Sequence, residues 1–125
     1  MVKGRGIMQK LKIYYAHSML SYNTNKERNE LVWLKKNFSE IVNPKKFGYT
    51  DMDLYLEEVK KCDGLIFSEY ENLIGKGVHA ELLLALRKNM FARRLRKAYG
   101  RYRLYKVKRV ITLNPNDWKF YAKVT

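Results

Sequence analysis

The 125-residue chain is long enough to bury one core, so we expect a single domain over residues 1–125. Its 26 Lys and Arg outnumber its 12 Asp and Glu, and the formal net charge of +14 favours polyanionic partners such as nucleic acid, nucleotides or phosphorylated metabolites. No apolar run approaches the roughly 20 residues of a membrane span and the first residues lack the apolar stretch of a secretion signal, so we expect a cytoplasmic protein without a membrane partner.

Strands and helices alternate along the first half of the chain. The β-branched and aromatic run at about 11–16 predicts a first strand, and Thr24 followed by Glu27 is a capping box that begins a helix. A short strand, "EIVNP", then ends at Pro44. A second helix follows, capped by Thr50 or Asp51, and leads into "GLIFSEY", an apolar strand typical of a sheet covered on both faces.

The second half of the chain continues this alternation. Its pattern predicts a third helix over 78–90 that can continue to residue 99, a strand over 105–113, and a tail that forms an edge strand or a dimer arm. Strands that alternate with helices predict a three-layer α/β/α fold around a mostly parallel, four- to five-stranded sheet. Ligands of such sheets bind beyond the carboxyl ends of the strands, which places His17, Ser18 and Ser68 at the expected site.

Two glycines and a glutamate mark the start of the third helix. Gly75 and Gly77 would let the backbone approach an anion at the helix start, although an ordinary strand-to-helix turn explains them equally well. Their spacing matches neither the phosphate loop nor the dinucleotide motif. We predict Glu81 in the first turn, where the helix dipole keeps a carboxylate ionised. Glu81 then either complements that dipole in solvent or faces a cavity as a nucleophile for glycosyl chemistry.

Further candidates lie near these residues in the predicted topology. Tyr14 ends the first strand and either holds Glu81, binds a sugar hydroxyl or packs in the core. His17 and Ser18 either contact a ligand or serve as loop residues, and Asp53 either caps the second helix or binds ribose hydroxyls. Two separated histidines and one cysteine make a metal site improbable, and we expect no cofactor.

A basic segment lies between residues 91 and 109, with nine Lys or Arg, interleaved tyrosines and no acid. Such a segment is suited to single-stranded nucleic acid through phosphate contacts and base stacking. The alternative is a solvated helix end whose arginines complement the helix dipole. The candidate contacts to nucleic acid or phosphate are Arg93, Arg94, Arg96 and Arg101.

Two segments of the sequence resemble a known family. "KIYYAHSM" is similar to the opening strand of the nucleoside 2-deoxyribosyltransferase-like proteins, and "CDGLIFSEYENLIGKGVHAELLLAL" resembles their second signature, which ends in a glutamate before L-x-x-A. The resemblance covers about residues 10–90. The related TIR-like fold also uses a glutamate in a βα sheet, but no further residue of this chain matches it. The family resemblance implies a flavodoxin-like or Rossmann-like sheet, a homodimer or larger homo-oligomer, and cleavage or transfer of the N-glycosidic bonds of nucleosides or nucleotides.

The resemblance also implies roles for individual residues. Glu81 matches the family's nucleophile, Tyr14 the tyrosine that positions it, and Gly77 the glycine of the preceding loop. The transferases commonly carry an aspartate six residues before the glutamate, where this chain has Gly75, and their other substrate-binding acid is matched only by Asp53. We therefore expect an N-glycosidase or deoxyribosyltransferase-like protein. The alternatives are a catalytically inactive nucleotide-binding protein and a nucleic-acid-binding protein that uses residues 91–109.

Overall fold

A computed structural model describes the backbone of residues 9–114 and 119–124 and the side chains of residues 10–110. The elements in chain order are β1 (Gln9–Ala16), α1 (Asn25–Asn37), β2 (Phe38–Val42), α2 (Met52–Lys60), β3 (Gly64–Phe67), α3 (Lys76–Arg87), β4 (Phe91–Ala98), β5 (Arg101–Asn114) and β6 (Lys119–Val124). Single turns of 3-10 helix, Met19–Ser21 and Pro44–Lys46, follow β1 and β2.

The strands form one sheet in the order β2-β1-β3-β4-β5-β6. The first four strands of this order are parallel, and β5 and β6 extend the sheet as antiparallel strands. Helix α1 packs on one face, while α2 and α3 pack on the other. The predicted three-layer α/β/α fold is therefore confirmed, with a six-stranded sheet. No helix of the described residues is long and apolar enough to cross a membrane.

Strand β1 lies inside the sheet and contributes to both halves of the core. Its side chains alternate between the two faces, as in any strand. Ile13 and Tyr15 pack on the α1 side, whereas Tyr14 and Ala16 pack on the side of α2 and α3. All four side chains are fully buried, so β1 is the strand around which both layers of helices are arranged.

The predicted starts of α1 and α2 agree with the structure. The Thr24 side chain caps α1 by accepting a hydrogen bond from the backbone N–H of Glu27. Asp51, one of the two predicted caps of α2, accepts a hydrogen bond of 2.9 Å from the backbone N–H of Asp53. Both helices therefore begin where a side-chain oxygen satisfies an otherwise free N–H group.

The basic segment differs most from its prediction. Residues 91–98 form β4, so the predicted continuation of the third helix to Tyr99 is wrong. Lys and Arg favour helices in isolation, but here pairing with β3 and β5 and the burial of Ala92 and Leu95 decide the conformation. Strand β5 contains the predicted strand at 105–113, and β6 makes the tail an edge strand, one of its two predicted forms.

A glycine provides a test of the contact between β3 and β4. A Cβ at Gly64 would lie 2.8 Å from the carbonyl oxygen of Phe91, so the neighbouring strand would have to move. We expect Gly64→Ala to lower the free energy of unfolding by about 1–3 kcal/mol in urea denaturation. A Cβ at the helical Gly77 meets nothing closer than 3.8 Å, so Gly77→Ala should be neutral or slightly stabilising. Equal effects of the two substitutions would contradict this packing.

Candidate active site

Tyr14 and Glu81 meet between the sheet and α3. The Tyr14 hydroxyl donates a hydrogen bond to Oε2 of Glu81. Tyr14 is fully buried and Glu81 is 5% exposed. The contact forms because Tyr14 is on the face of β1 that α3 covers, while Glu81 belongs to the sheet-facing side of α3 together with Leu82 and Ala85.

The environment of Glu81 favours its neutral form, whereas the sequence predicted an ionised carboxylate. Helix α3 begins at Lys76, so Glu81 lies in the second turn, and the expectation that the first-turn dipole keeps it ionised is wrong. Burial raises the pKa of Glu81 to about 7, and the hydrogen bond from Tyr14 opposes that rise. Burial and the nearby Glu81 raise the pKa of Tyr14 far above its usual value, so the hydroxyl keeps its proton and can donate it in the hydrogen bond to Glu81.

A cavity of about 410 Å³ borders Glu81, within the size range of small-molecule sites. It lies beyond the carboxyl ends of β1 and β2, beside the first turns of α2 and α3. Its lining residues are His17, Ser18, Met19, Leu20, Tyr22, Pro44, Tyr49, Thr50, Met52, Tyr55, Gly75, Lys76, Gly77, Val78 and Glu81. Strand order reverses at β1, with β2 on one side and β3 on the other, and open α/β sheets bind ligands at such a switch point.

Three tyrosines, Tyr22, Tyr49 and Tyr55, form an aromatic side of this cavity, and no motif in the sequence marked them as binding residues. Tyr49 and Tyr55 are in edge contact with ring centroids 5.0 Å apart, and the Tyr55 hydroxyl donates to the Tyr49 carbonyl at 3.1 Å. Burial raises the pKa of Tyr22 to about 12, with further contributions from Tyr55 and Glu81. Only their positions in the chain could have identified them: Tyr22 follows β1, Tyr49 follows β2 and Tyr55 lies near the start of α2.

His17 lines the cavity, but its ring nitrogens are already engaged. Nδ1 lies 2.9 Å from the Tyr15 carbonyl oxygen, and Nε2 lies 2.7 Å from Oε2 of Glu27. The ring also stacks on Tyr15 at a centroid distance of 3.8 Å. His17 therefore fixes the segment after β1. Ser18 also lines the cavity while its hydroxyl caps the following 3-10 turn.

Gly75 and Gly77 lie at the cavity, but two other predicted binding residues do not line it. Asp53 is exposed at the start of α2 and does not line the cavity. Ser68 points to the α1 face, because it follows Phe67, which faces α2 and α3. There its hydroxyl donates a hydrogen bond of 2.8 Å to Oε2 of Glu30.

The four predicted phosphate contacts differ in exposure. Arg94 is buried, with a guanidinium nitrogen 4.0 Å from Oε2 of Glu69, and Arg96 donates to Oε1 of Glu69 through Nε at 3.1 Å. Arg93 is half-buried and packs over the Phe91 ring. The guanidinium groups of Arg93, Arg94 and Arg96 therefore have intramolecular partners, whereas Arg101 is exposed.

A second tyrosine–glutamate pair on the opposite face clarifies what is special about Glu81. Tyr15 donates to Oε1 of Glu30, and Oε2 of Glu30 accepts from Ser68 and, at 2.8 Å, from Lys26. Lys26 neutralises that carboxylate, while no cation contributes to the pKa of Glu81. Of the two buried pairs, only the one with Glu81 combines a cavity with an uncompensated carboxylate.

Comparisons of the chain with protein-family models, with curated proteins and with solved structures gave no match. Among the described residues, no group of three or more His, Cys, Asp or Glu side chains is arranged to hold a metal ion.

The raised pKa of Glu81 predicts a pH-dependent stability. The pKa of this carboxyl is higher in the folded chain, about 7, than in the unfolded chain, about 4.5. The folded protein therefore becomes less stable as pH rises between these two values. Glu81→Gln removes this titration, so we expect the variant to gain roughly 3 kcal/mol relative to wild type between pH 4 and pH 8. Urea denaturation of both proteins at the two pH values measures this difference, and a constant difference would contradict the raised pKa.

Proposed function

We propose that this protein cleaves the N-glycosidic bond of a nucleoside or nucleotide, with Glu81 as the nucleophile and Tyr14 as the residue that positions it. The observation that carries the proposal is the buried Tyr14–Glu81 pair beside a cavity of about 410 Å³ at the carboxyl ends of the strands. It agrees with the roles that the sequence resemblance assigns to the same two residues.

The chemistry requires one carboxylate oxygen held in place and one directed at the substrate. Tyr14 binds Oε2, which leaves Oε1 of ionised Glu81 to attack the anomeric carbon. The carbon–nitrogen bond breaks, the base departs with its electron pair and takes a proton from water, and a glycosyl ester forms on Glu81. Water then attacks the anomeric carbon, which releases the sugar and regenerates the carboxylate; a second base in place of water gives transfer.

The cavity suits a substrate with a flat ring. Tyr22, Tyr49 and Tyr55 offer aromatic surface for a base, and the chain's net charge of +14 attracts a phosphorylated substrate. Gly75 provides no side-chain acid to protonate the leaving base, which favours hydrolysis over transfer. On the resemblance alone, we also propose a homodimer or a larger homo-oligomer, and the cytoplasmic location expected from the sequence stays a prediction.

Base release is the direct test of this function. The purified protein is incubated with a panel of nucleosides, mononucleotides and NAD, and free base is measured by chromatography. We expect release with at least one substrate and a loss of roughly a thousandfold or more in Glu81→Gln. Release that persists at the wild-type rate in Glu81→Gln would exclude Glu81 as the nucleophile.

The pH profile tests the role of Tyr14. Glu81 must be ionised to attack, so the rate of base release should rise with pH through about 7. Tyr14→Phe removes a hydrogen bond that lowers the pKa of Glu81, so its ascending limb should shift to higher pH. Tyr15→Phe is the matched control, because Tyr15 is equally buried and also bonded to a glutamate, but on the opposite face. A shift of equal size in both variants would show that Tyr14 has no specific role.

A catalytically inactive nucleotide-binding protein is the second candidate. The missing side-chain acid at Gly75 favours it. Calorimetry would then detect a mononucleotide or NAD bound at the cavity, weakened by Tyr22→Ala or Tyr55→Ala, without release of base. Observed base release would exclude this candidate.

A further inference from the structure

The hairpin formed by β4 and β5 carries a concentration of unpaired positive charge. Six of its cations are exposed and form no ion pair with a carboxylate of the described residues. They are Lys97, Arg101, Arg103, Lys106, Lys108 and Arg109. Glu69 compensates only Arg94 and Arg96, which lie closer to the core.

Two of these six cations lie directly opposite another arginine of the hairpin. Lys106 lies opposite Arg93, which has no carboxylate partner among the described residues, and Arg103 lies opposite Arg96, whose charge Glu69 partly compensates. Like charges at opposed positions destabilise an antiparallel pair. A bound polyanion would remove this repulsion, whereas folding alone gains nothing from it.

An aromatic side chain stands at the tip of the same hairpin. Tyr99 and Gly100 form a two-residue turn between the paired residues Ala98 and Arg101. Tyr99 is fully exposed and has φ of 51°, and Gly100 has φ of 77°. Such a turn requires positive φ at both positions, where Asn or Gly is favoured and a bulky residue is strained. A strained tyrosine that contacts no core indicates that its ring serves another purpose.

We propose that this hairpin is a binding site for single-stranded nucleic acid, in which Tyr99 stacks on an unpaired base and the exposed cations contact phosphates. Aromatic rings within a basic groove are how proteins bind single strands without sequence preference. Arg101 and Arg103 follow the tip on one face, two residues apart, and Lys97 lies near it on the other face. None of the cavity-lining residues belongs to the hairpin, so this site does not depend on the proposed glycosidase function.

Fluorescence anisotropy with the full chain tests the phosphate contacts. Labelled single-stranded DNA and RNA 20-mers of mixed sequence, and the matching duplexes, are titrated between 50 and 200 mM salt, and the two single strands show which sugar is preferred. Each phosphate contact adds about −0.7 to the slope of log K against log salt. The combined variant Lys97→Gln, Arg101→Gln and Arg103→Gln should bind more weakly and reduce the magnitude of that slope by about 2. Its control, Lys35→Gln, Arg87→Gln and Lys88→Gln, removes the same charge from exposed helix ends and should leave the slope unchanged.

The turn residue gives a test in which binding and stability move in opposite directions. Tyr99→Asn introduces the residue that this turn prefers, so the variant should unfold at a higher temperature than wild type. The same change removes the stacking ring and should weaken single-strand binding about tenfold or more. Tyr99→Phe keeps the ring and should retain the wild-type affinity. If Tyr99 had only a structural role, Tyr99→Asn would raise the unfolding temperature without weakening the binding of single strands.

Three outcomes would overturn the proposal. The first is no oligonucleotide binding at 50 mM salt. The second is binding that the control variant weakens as much as the hairpin variant does, because a diffuse charge effect would then suffice. The third is binding to phosphatidylserine vesicles or to duplex DNA that is tighter than to single strands and unaffected by Tyr99→Ala, which would assign the surface to another partner.

Discussion

The candidate site depends on the burial of the Glu81 carboxylate against the Tyr14 hydroxyl. Apolar neighbours such as Leu82 and Ala85 cannot solvate a charge, so burial alone would keep the carboxyl neutral. The hydrogen bond from Tyr14 favours the charged form and offsets part of that cost. The balance leaves the pKa near 7, and both protonation states are populated at neutral pH. Strand β1 and helix α3 position the Tyr14 hydroxyl and the Glu81 carboxyl against each other.

Strand β1 builds two such pairs from consecutive residues. Because side chains alternate across a strand, Tyr14 and Tyr15 reach glutamates on opposite layers of helices. The pair of Tyr15 with Glu30 is neutralised by Lys26 and joins α1 to the sheet. The pair with Glu81 borders a cavity, and no cation contributes to the pKa of its carboxyl. Two consecutive residues therefore join α1 to the sheet on one face and hold a buried carboxyl beside a cavity on the other.

Much of this arrangement follows from the sequence, because it depends on local patterns. The alternation of elements and the Thr24 cap follow from periodicity and capping chemistry. The residues left the role of Tyr14 open, and only the family resemblance implied its contact with Glu81. The strand at residues 91–98 does not follow from local patterns, because its Lys and Arg side chains favour a helix until β3 and β5 pair with it. The prediction that Ser68 lies at the binding site is wrong, because its side chain takes the α1 face of the sheet and bonds to Glu30. The sequence alone did not show which face of the sheet that would be.

The sheet order has a consequence for how the chain folds. The parallel strands β2, β1, β3 and β4 are joined through helical crossovers, so their pairing closes long loops. Strands β4 and β5 are joined by two residues, so their contacts are local. Rates of folding fall as contacts become more distant in sequence. We therefore expect the β4–β5 hairpin to form early. We expect the pairing of β1 with β3, on which the Tyr14–Glu81 contact depends, to form later.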